Sequence, residues 1–387
     1  MSTLFESAKK LRPWLVSTRR DLHQRPELSL HEKSTANRCA EELEKLGLKV
    51  TRNIWGEGFI ADLDGANAKG RIALRADMDA LPITELNEIE FKSQNPGVAH
   101  MCGHDTHMTS ALGAARLLVA QRDKMKRNVR FVFQPSEETP PGGALGLIEK
   151  GVLDGIDEVF GLHNNPQMEV GTVSTRVGFL TAAADSFRIT LTGKGGHASR
   201  PHDTLDPIPA SCALVLQLQT LVARRIAPGT PAVLSVTQIT GGTTHNIIPD
   251  SVFIQGTVRT FDEATRKLLE DGLWCMSDAV AKAHGLKVAF TYERGYDSIV
   301  NHASGVQRVV AAAVKVVGEK QVSTDFPAMT WGEDFSYYLQ HKPGAFFLLG
   351  SGNRLKGISE PLHSPRMMVD EDCLAIGAAI MAQLALD

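Results

Sequence analysis

Short apolar runs recur along the chain with helical stretches between them. Runs of this kind, bounded by turn residues, are typical of buried strands, and the helices between them indicate an α/β sheet with a largely parallel core. The runs predicted as strands of this sheet cover residues 58–63, 71–76, 129–133, 158–162 and 345–349. Helical periodicity is found at residues 4–48, 109–120, 304–317 and 371–386. The break at Arg25-Pro26 in the first of these stretches predicts a pair of helices.

The pattern changes between residues 183 and 295, where the order is strand, helix, strand, strand, helix, strand. The six elements are predicted at residues 187–191, 207–224, 233–239, 252–258, 263–284 and 287–292. This βαββαβ order is that of the ferredoxin-like unit, in which two helices cover one face of a four-stranded antiparallel sheet. The sequence therefore predicts a domain at 183–295 that is inserted between two parts of a larger domain, at 1–182 and 296–387.

Each helix of the predicted insertion has apolar residues at steps of three or four, with one step of two turns in the first helix, which indicates the face that it turns towards the sheet. In the first helix this stripe is predicted at Ile208, Cys212, Val215 and Val222. In the second helix it is predicted at Leu269, Leu273, Met276 and Val280. One apolar face on each helix is what a two-layer unit of this kind requires.

Composition and charge narrow the range of partners. Of the 387 residues, 43% are apolar and 22% charged, which is ordinary for a globular protein with a sizeable core, and the length favours two domains. The net charge of −3 predicts small-molecule partners and no nucleic acid. No apolar run approaches the roughly 20 residues that cross a bilayer, and the first residues lack the order of a secretory signal. We therefore expect no membrane association and a cytoplasmic location, with which five dispersed, reduced cysteines agree.

The stretch 99–108, AHMCGHDTHM, contains three histidines, a cysteine and an aspartate. Thiolate, imidazole and carboxylate groups are the donors that a divalent transition ion accepts. Residues two apart point in nearly opposite directions from a regular helix, so Cys102 and His104 can meet one ion only if they precede or distort the helix that follows. Gly103 gives the backbone that freedom. A buried thiol beside a surface histidine is the alternative interpretation of this stretch alone.

Two further groups of polar residues follow predicted strands, where ligand sites of α/β sheets lie. Glu137 and Glu138 come after the strand at 129–133. Because successive side chains of an extended stretch point to opposite sides, one glutamate can bind metal while the other takes a proton from water. His163 follows the strand at 158–162. The alternatives are a solvated glutamate pair and a histidine that is hydrogen-bonded within the core.

Three more residues are candidates for the same site. Asp77 and Asp79 follow the strand at 71–76, and either could orient a ligating imidazole. His363 lies in the predicted loop 362–365. Structural aspartates at a strand end and an exposed histidine without a role are the alternatives.

Nine motifs, which span nearly the whole chain in order, closely resemble those of the M20 metallopeptidase superfamily. They are RADMDALP, AHMCGHDTHM, QPSEE, GLHNNP, TGKGGHASRPH, HNIIPD, GTVRTF, EDFSYYL and LHSPR. The resemblance is to the branch of hippurate hydrolases and N-acyl-amino-acid amidohydrolases. It implies a metal-dependent amidohydrolase with two divalent metal ions per subunit, such as Mn, Co, Ni or Zn, and an inserted domain through which two subunits form a homodimer.

The same resemblance implies roles for individual residues in the metal site. The implied ligands of the two ions are Cys102, His104, Glu138, His163 and His363. Glu137 is implied as the general base, and Asp77 or Asp79 as support for the site.

In the inserted domain, the resemblance implies that Asn246 and Arg259 hold the carboxylate of the substrate. It also implies that His197 reaches the site of the partner subunit and stabilises the transition state there. The expected reaction is hydrolysis of the amide bond of N-acyl amino acids, which releases a carboxylic acid and a free amino acid. The alternatives are a dipeptidase or carboxypeptidase of the same superfamily, and a metal-binding or conjugate-binding protein without turnover. The presence of Glu137 beside a full ligand set disfavours the last of these.

Overall fold

The computed structural model describes residues 3–387, which form two compact units. The larger unit contains the residues up to Leu180 together with Ile299–Pro327 and Asp334–Asp387. The smaller unit contains Thr181–Ser298 and Ala328–Glu333. The second of these segments lies outside the predicted insertion at 183–295, and it joins the smaller unit through a parallel bridge between Thr181 and Met329.

The strands, in chain order, are β1 (Lys49–Thr51), β2 (Phe59–Leu63), β3 (Arg71–Asp77), β4 (Asn128–Gln134), β5 (Glu158–Glu169), β6 (Val173–Ser174), β7 (Gly178–Phe179), β8 (Ala183–Thr192), β9 (Gly196–His197), β10 (Val233–Thr240), β11 (Ile247–Ile248), β12 (Ser251–Thr260), β13 (Lys287–Glu293), β14 (Val300–Asn301), β15 (Val322–Ser323) and β16 (Gly344–Gly352). The helices are α1 (Thr3–Lys10), α2 (Arg12–Gln24), α3 (Lys33–Lys45), α4 (His104–Val119), α5 (Gly143–Glu149), α6 (Pro207–Thr220), α7 (Glu263–Ala283), α8 (Ala303–Val317), α9 (Phe335–His341) and α10 (Cys373–Leu386). A π-type turn, Leu221–Arg225, follows α6.

The larger unit is built on an eight-stranded sheet with the order β1-β2-β4-β3-β5-β16-β6-β15. Its central strands β4, β3, β5 and β16 are parallel to one another. The predicted α/β fold with a mainly parallel sheet is therefore confirmed, and the five predicted strands correspond to β2, β3, β4, β5 and β16. Every residue of β16 is buried, as expected for a strand that is covered on both faces.

Helices α4 and α10 lie in the interior of the larger unit and are buried around nearly their whole circumference. Their sequences are rich in Ala and Leu with few charges, which is the composition that a helix buried on all sides requires. The first turn of α4 carries His104, so the fold fixes this end of the helix rigidly beside the sheet.

Two predictions for the larger unit are wrong in detail. Residues 3–48 form three helices rather than a pair, because α1 ends at Lys10 and a new helix starts with Pro13 in its first turn. The predicted break after α2 is present. His163 does not follow a strand but lies within β5, which continues to Glu169 because its backbone keeps pairing with β16.

The smaller unit contains the predicted βαββαβ order, with α6 and α7 beside an antiparallel sheet of order β10-β12-β8-β13. The predicted stripe of α7 is largely confirmed, since Leu269, Leu273 and Val280 are buried. The stripe predicted for α6 is wrong at two of its four positions, since Val215 and Val222 pack against the core of this unit while Ile208 and Cys212 are exposed. That helix has apolar residues on most of its sides, so periodicity alone could not select a face, and it buries Ala210, Leu214 and Leu218 instead.

Among residues 3–387, no helix combines the length and the apolar character that crossing a membrane requires.

Candidate metal centre

The register of the central strands brings the polar residues of the larger unit to one edge of the sheet. Arg75 lies opposite Gly161 in the β3–β5 pair, so Asp77, two residues further on, is level with His163. On the other side, β4 ends at Gln134, which lies opposite Asp77. The loop that carries the two glutamates therefore leaves the sheet from the same edge, where ligand sites of such sheets are found.

Cys102 and His104 reach this edge because the helix starts between them. Gly103 has a left-handed φ of 91°, and α4 begins at the next residue. A Cβ atom at position 103 would also lie 2.2 Å from the Asn164 side chain, so glycine is required for both reasons. The Cys102 Sγ atom lies 3.3 Å from His163 Nε2, and donor atoms of Cys102, His104 and His163 all lie within 4.8 Å of one another.

The orientation of His104 is fixed by a backbone carbonyl. Its Nδ1 donates to the carbonyl oxygen of Asp79 over 2.8 Å, which leaves Nε2 without a proton in the neutral ring. This Nε2 is buried and has no hydrogen-bond partner in the described part of the chain. It lies 3.9 Å from Glu137 Oε2 and 3.9 Å from Glu138 Oε1. A buried nitrogen lone pair that faces carboxylates is suited to bind a metal cation, whose charge the carboxylates stabilise.

Asp79 also holds the loop of the two glutamates. Its Oδ1 accepts the backbone N–H of Glu137 over 3.0 Å, and its Oδ2 accepts that of Glu138 over 2.9 Å. Glu138 Oε1 lies 3.2 Å from His363 Nε2. The His363 backbone N–H donates to the carbonyl of Met101 over 2.8 Å, which ties its loop to the segment before Cys102.

His163 presents a nitrogen to the same space. Its Nδ1 donates to the carbonyl oxygen of Asn164 over 2.7 Å, so Nε2 is the lone pair that faces Cys102. Burial, reinforced by the neighbouring His107, holds the pKa of His163 well below its usual value. The ring is therefore neutral at physiological pH, which is the form that binds metal.

The charges of this cluster also fit a cation. Burial lowers the pKa of His104, but Asp77 and Asp79 outweigh it and raise that pKa to about 10. The two aspartates therefore favour a positive charge at Nε2, which is a proton in the metal-free protein and a metal ion when one is bound. Burial, and then the carboxylates of Glu138 and Glu137, raise the pKa of the Cys102 thiol well above its usual value. The structure brings Cys102, His104, Glu137, Glu138, His163 and His363 together in overlapping groups of sulfur, nitrogen and oxygen donors. Such mixed groups suit a divalent transition ion.

Arg75 has a role that sequence analysis did not assign. Its guanidinium is buried and donates to Asp77 Oδ2 over 2.5 Å, to Gln134 Oε1 over 2.9 Å and to Asp334 Oδ1 over 2.9 Å. Burial alone raises the pKa of Asp77, but Arg75, and then His104 and His107, hold it well below its usual value. Arg75 thus keeps Asp77 charged beneath the site. All four residues of this network lie in recognised motifs, but nothing local in the sequence shows that they meet.

The other histidines of the 99–108 stretch have different surroundings. His107 Nδ1 lies 2.6 Å from Asp77 Oδ1, and its Nε2 accepts the backbone N–H of Asn164 over 3.0 Å. Both ring nitrogens of His107 are therefore used within the protein. Burial lowers the pKa of His100 to about 3, so this ring is a neutral part of the interior. Both ring nitrogens of His100 also lack a partner in the described part of the chain, but it is the free nitrogen of His104 that faces the two glutamates.

In the smaller unit, His197 and Asn246 lie side by side. His197 pairs with Ile247 between β9 and β11, and the N–H of Ala198 donates to the carbonyl of Asn246 over 3.1 Å. His197 Nδ1 accepts the backbone N–H of Ser199 over 3.1 Å, so the proton of the neutral ring is on Nε2. The His197 side chain is exposed and can act as a hydrogen-bond donor.

Arg259 lies on β12 in the same unit and is partly buried. Its Nε donates to the carbonyl of Thr330 over 3.0 Å, and its Nη1 donates to the carbonyl of Val258 over 3.0 Å and to Thr257 Oγ1. Burial lowers the pKa of this guanidinium, but an arginine remains charged at physiological pH. The surrounding carbonyls and hydroxyl thus fix a positive charge in one orientation.

Known proteins are similar to this chain over almost its whole length. Residues 73–387 match peptidase family M20/M25/M40. The chain is 39% identical over 386 residues to thermostable carboxypeptidase 2 of Saccharolobus solfataricus, and the aligned residues cover 99% of this chain and 97% of that protein. It is 40% identical over 360 residues to N-acetyl-L-cysteine deacetylase of Bacillus subtilis, and the aligned residues cover 93% of this chain and 84% of that protein. The crystal structure of the Bacillus subtilis YXEP protein, described as a dinuclear metal binding peptidase from the M20 family, superimposes with a TM-score of 0.84 at 33% identity over 98% of both chains.

Proposed function

From the premise that this chain belongs to peptidase family M20/M25/M40 and is a metal-dependent amidohydrolase, we propose that it hydrolyses the amide bond of N-acyl amino acids and releases a carboxylic acid and a free amino acid. The observation that carries the proposal is the division between two adjacent glutamates. Asp79 holds both of their backbone amides, and both carboxylates lie 3.9 Å from His104 Nε2, but that of Glu138 also lies 3.2 Å from His363 Nε2. One carboxylate can bind metal while its neighbour moves a proton.

We propose two divalent ions per subunit, with Mn, Co, Ni and Zn as the candidates. The proposed ligands are Cys102, His104, Glu138, His163 and His363. Overlapping donor groups and the unpartnered Nε2 of His104 support this assignment, as does the description of the YXEP protein as dinuclear. When bound, such ions lower the pKa of water and polarise the scissile carbonyl.

The residues around the ions divide the remaining work. Glu137, which is only 5% exposed, takes the proton of the attacking water and delivers it to the leaving amine. Asp79 fixes the backbone of Glu137 and the ring of His104, so that both keep their orientation during the reaction. Asp77, held charged by Arg75, supports the site from below.

Residues of the smaller unit recognise the substrate in this proposal. The fixed guanidinium of Arg259, with Asn246, binds the carboxylate of the amino acid, a pairing that planar guanidinium groups favour. The Nε2 proton of His197 stabilises the oxyanion that develops on the scissile carbonyl. His197 does so in the site of the partner subunit.

That role requires a homodimer, which we propose to form through the smaller unit. Exposed apolar side chains on α6 and on the edge strand β10 support this choice. Leu216 is 72% exposed on α6, and Ile239 is 51% exposed on β10. An apolar helix face beside an open sheet edge is a surface that a second subunit can cover.

A carboxypeptidase or dipeptidase is the second candidate, because one similar protein is named a carboxypeptidase. The two activities share their chemistry. In a peptide, as in an N-acyl amino acid, the amine side of the scissile bond carries a free carboxylate. They differ in whether the other side bears a free amino group.

A substrate panel separates the candidates. We expect N-acetyl and N-benzoyl amino acids to be hydrolysed with kcat/KM at least about tenfold higher than unblocked dipeptides, because a site for an acyl group leaves a charged amine unpaired. The measurement is release of free amino acid, and N-acetyl amino acid amides, which lack the carboxylate, are the matched controls. Faster hydrolysis of unblocked dipeptides would favour the peptidase, and no release from any compound would favour a protein without turnover.

A further inference from the structure

Glu32 is a fully buried carboxyl group outside the proposed ligand set. It precedes α3, at the position from which a side chain commonly caps a helix, but it makes no capping hydrogen bond. Glu27 caps α3 instead, since its Oε1 and Oε2 accept the N–H groups of Ser34 and Thr35 over 3.2 and 2.7 Å. The Glu32 side chain is therefore free for another partner.

That partner is the loop of the two glutamates. Glu32 Oε1 accepts the backbone N–H of Ser136 over 2.8 Å. Ser136 directly precedes Glu137 and has a φ of 56°, in the left-handed region that residues with a side chain seldom adopt. A backbone in this region persists only where surrounding contacts hold it.

We propose that Glu32 is a positioning residue, which fixes the Ser136 amide and so sets the direction in which Glu137 and Glu138 leave β4. Together with Asp79 it accepts three consecutive backbone N–H groups, those of residues 136, 137 and 138. This inference rests on the roles proposed above for the two glutamates.

The segment that carries Glu32 is tied to the same loop by further contacts. Ser29 Oγ donates to Asp79 Oδ2 over 2.7 Å and accepts from Thr139 Oγ1 over 3.0 Å. Burial, and then the negative charge of Asp79, raise the pKa of Glu32 to about 7. A neutral carboxyl group still accepts the Ser136 N–H, so glutamine is a faithful substitute at this position.

Four variants of the full chain test the proposal. Glu32→Met removes the acceptor at similar volume, and Glu32→Gln keeps it. Glu27→Met removes a neighbouring carboxylate whose hydrogen bonds within residues 3–387 all go to α3. Glu32→Ala is measured alongside, so that the comparison does not depend on how methionine is accommodated. For each variant we measure kcat, KM and, in the metal-free protein, hydrogen exchange of the amides of residues 136–138.

We expect Glu32→Met and Glu32→Ala to lower kcat by about 10- to 100-fold with little change in KM, because the proton acceptor is misplaced. Exchange of the loop amides should be about tenfold faster in the same variants. Glu32→Gln should keep both kcat and the exchange rate of the loop amides near their wild-type values. Glu27→Met should lower the melting temperature and leave kcat and the exchange rate unchanged. Wild-type kcat in Glu32→Met, or loss of kcat without faster exchange at 136–138, would overturn the positioning role. Failure of the proposed function would appear differently, as no amino acid release by the wild type.

Discussion

We expect Glu137→Gln to lower kcat by about 10²- to 10⁴-fold while its metal content stays near that of the wild type. The amide keeps the size of the side chain and the backbone contact with Asp79, but it cannot take a proton from water. Glu138→Gln should behave differently. In the wild type, Glu138 Oε1 lies 3.2 Å from His363 Nε2, among the donor groups of the site. We therefore expect Glu138→Gln to lose metal as well as activity.

Metal analysis of the two variants, beside steady-state kinetics, separates a proton carrier from a ligand. The variants are matched, because each changes one oxygen to nitrogen at adjacent positions of one loop. Loss of metal by Glu137→Gln with retention by Glu138→Gln would mean that the two roles are exchanged.

We expect the second large effect at His197, where replacement by alanine should lower kcat by about 10²- to 10³-fold, the usual cost of removing one oxyanion donor. In the proposed homodimer, each site combines Glu137 of one subunit with His197 of the other. Homodimers of His197→Ala and of Glu137→Ala should therefore both be nearly inactive. A mixed dimer of the two variants should have one complete site, because one subunit keeps its Glu137 and the other keeps its His197.

Co-expression of the two variants in equal amounts should restore about a quarter of wild-type activity, since random pairing makes about half of the dimers mixed and each has one working site of two. Native mass spectrometry establishes that mixed dimers are present. If such dimers form and the mixture remains as inactive as its parents, His197 does not act across the interface.

Local sequence patterns were sufficient to predict most of the fold. Apolar runs located β2, β3, β4, β5 and β16, because a strand covered on both faces must be apolar throughout. They did not show that β5 continues past His163, since that extension depends on pairing with β16, which lies far away in the sequence. They also failed in part for α6, where apolar residues on most of its sides left the buried face undetermined.

In the site, too, local sequence patterns indicate neighbouring residues but not contacts between residues that are distant in the sequence. Cys102, Gly103 and His104 could be interpreted together because glycine and donor residues stand next to one another. The network of Arg75 with Asp334 joins residues 259 positions apart, and the contact of Glu32 with Ser136 joins residues 104 positions apart. Such contacts arise only when the sheet and its loops assemble, so no local pattern could indicate them.

The most direct test of the central claim is to measure release of free amino acid from an N-acyl amino acid while metal-free protein is titrated with Mn²⁺, Co²⁺, Ni²⁺ or Zn²⁺. We expect no turnover without metal, and activity that rises until two ions are bound per subunit, because water and carbonyl must both be activated at the site. Full activity in the metal-free protein would contradict this account.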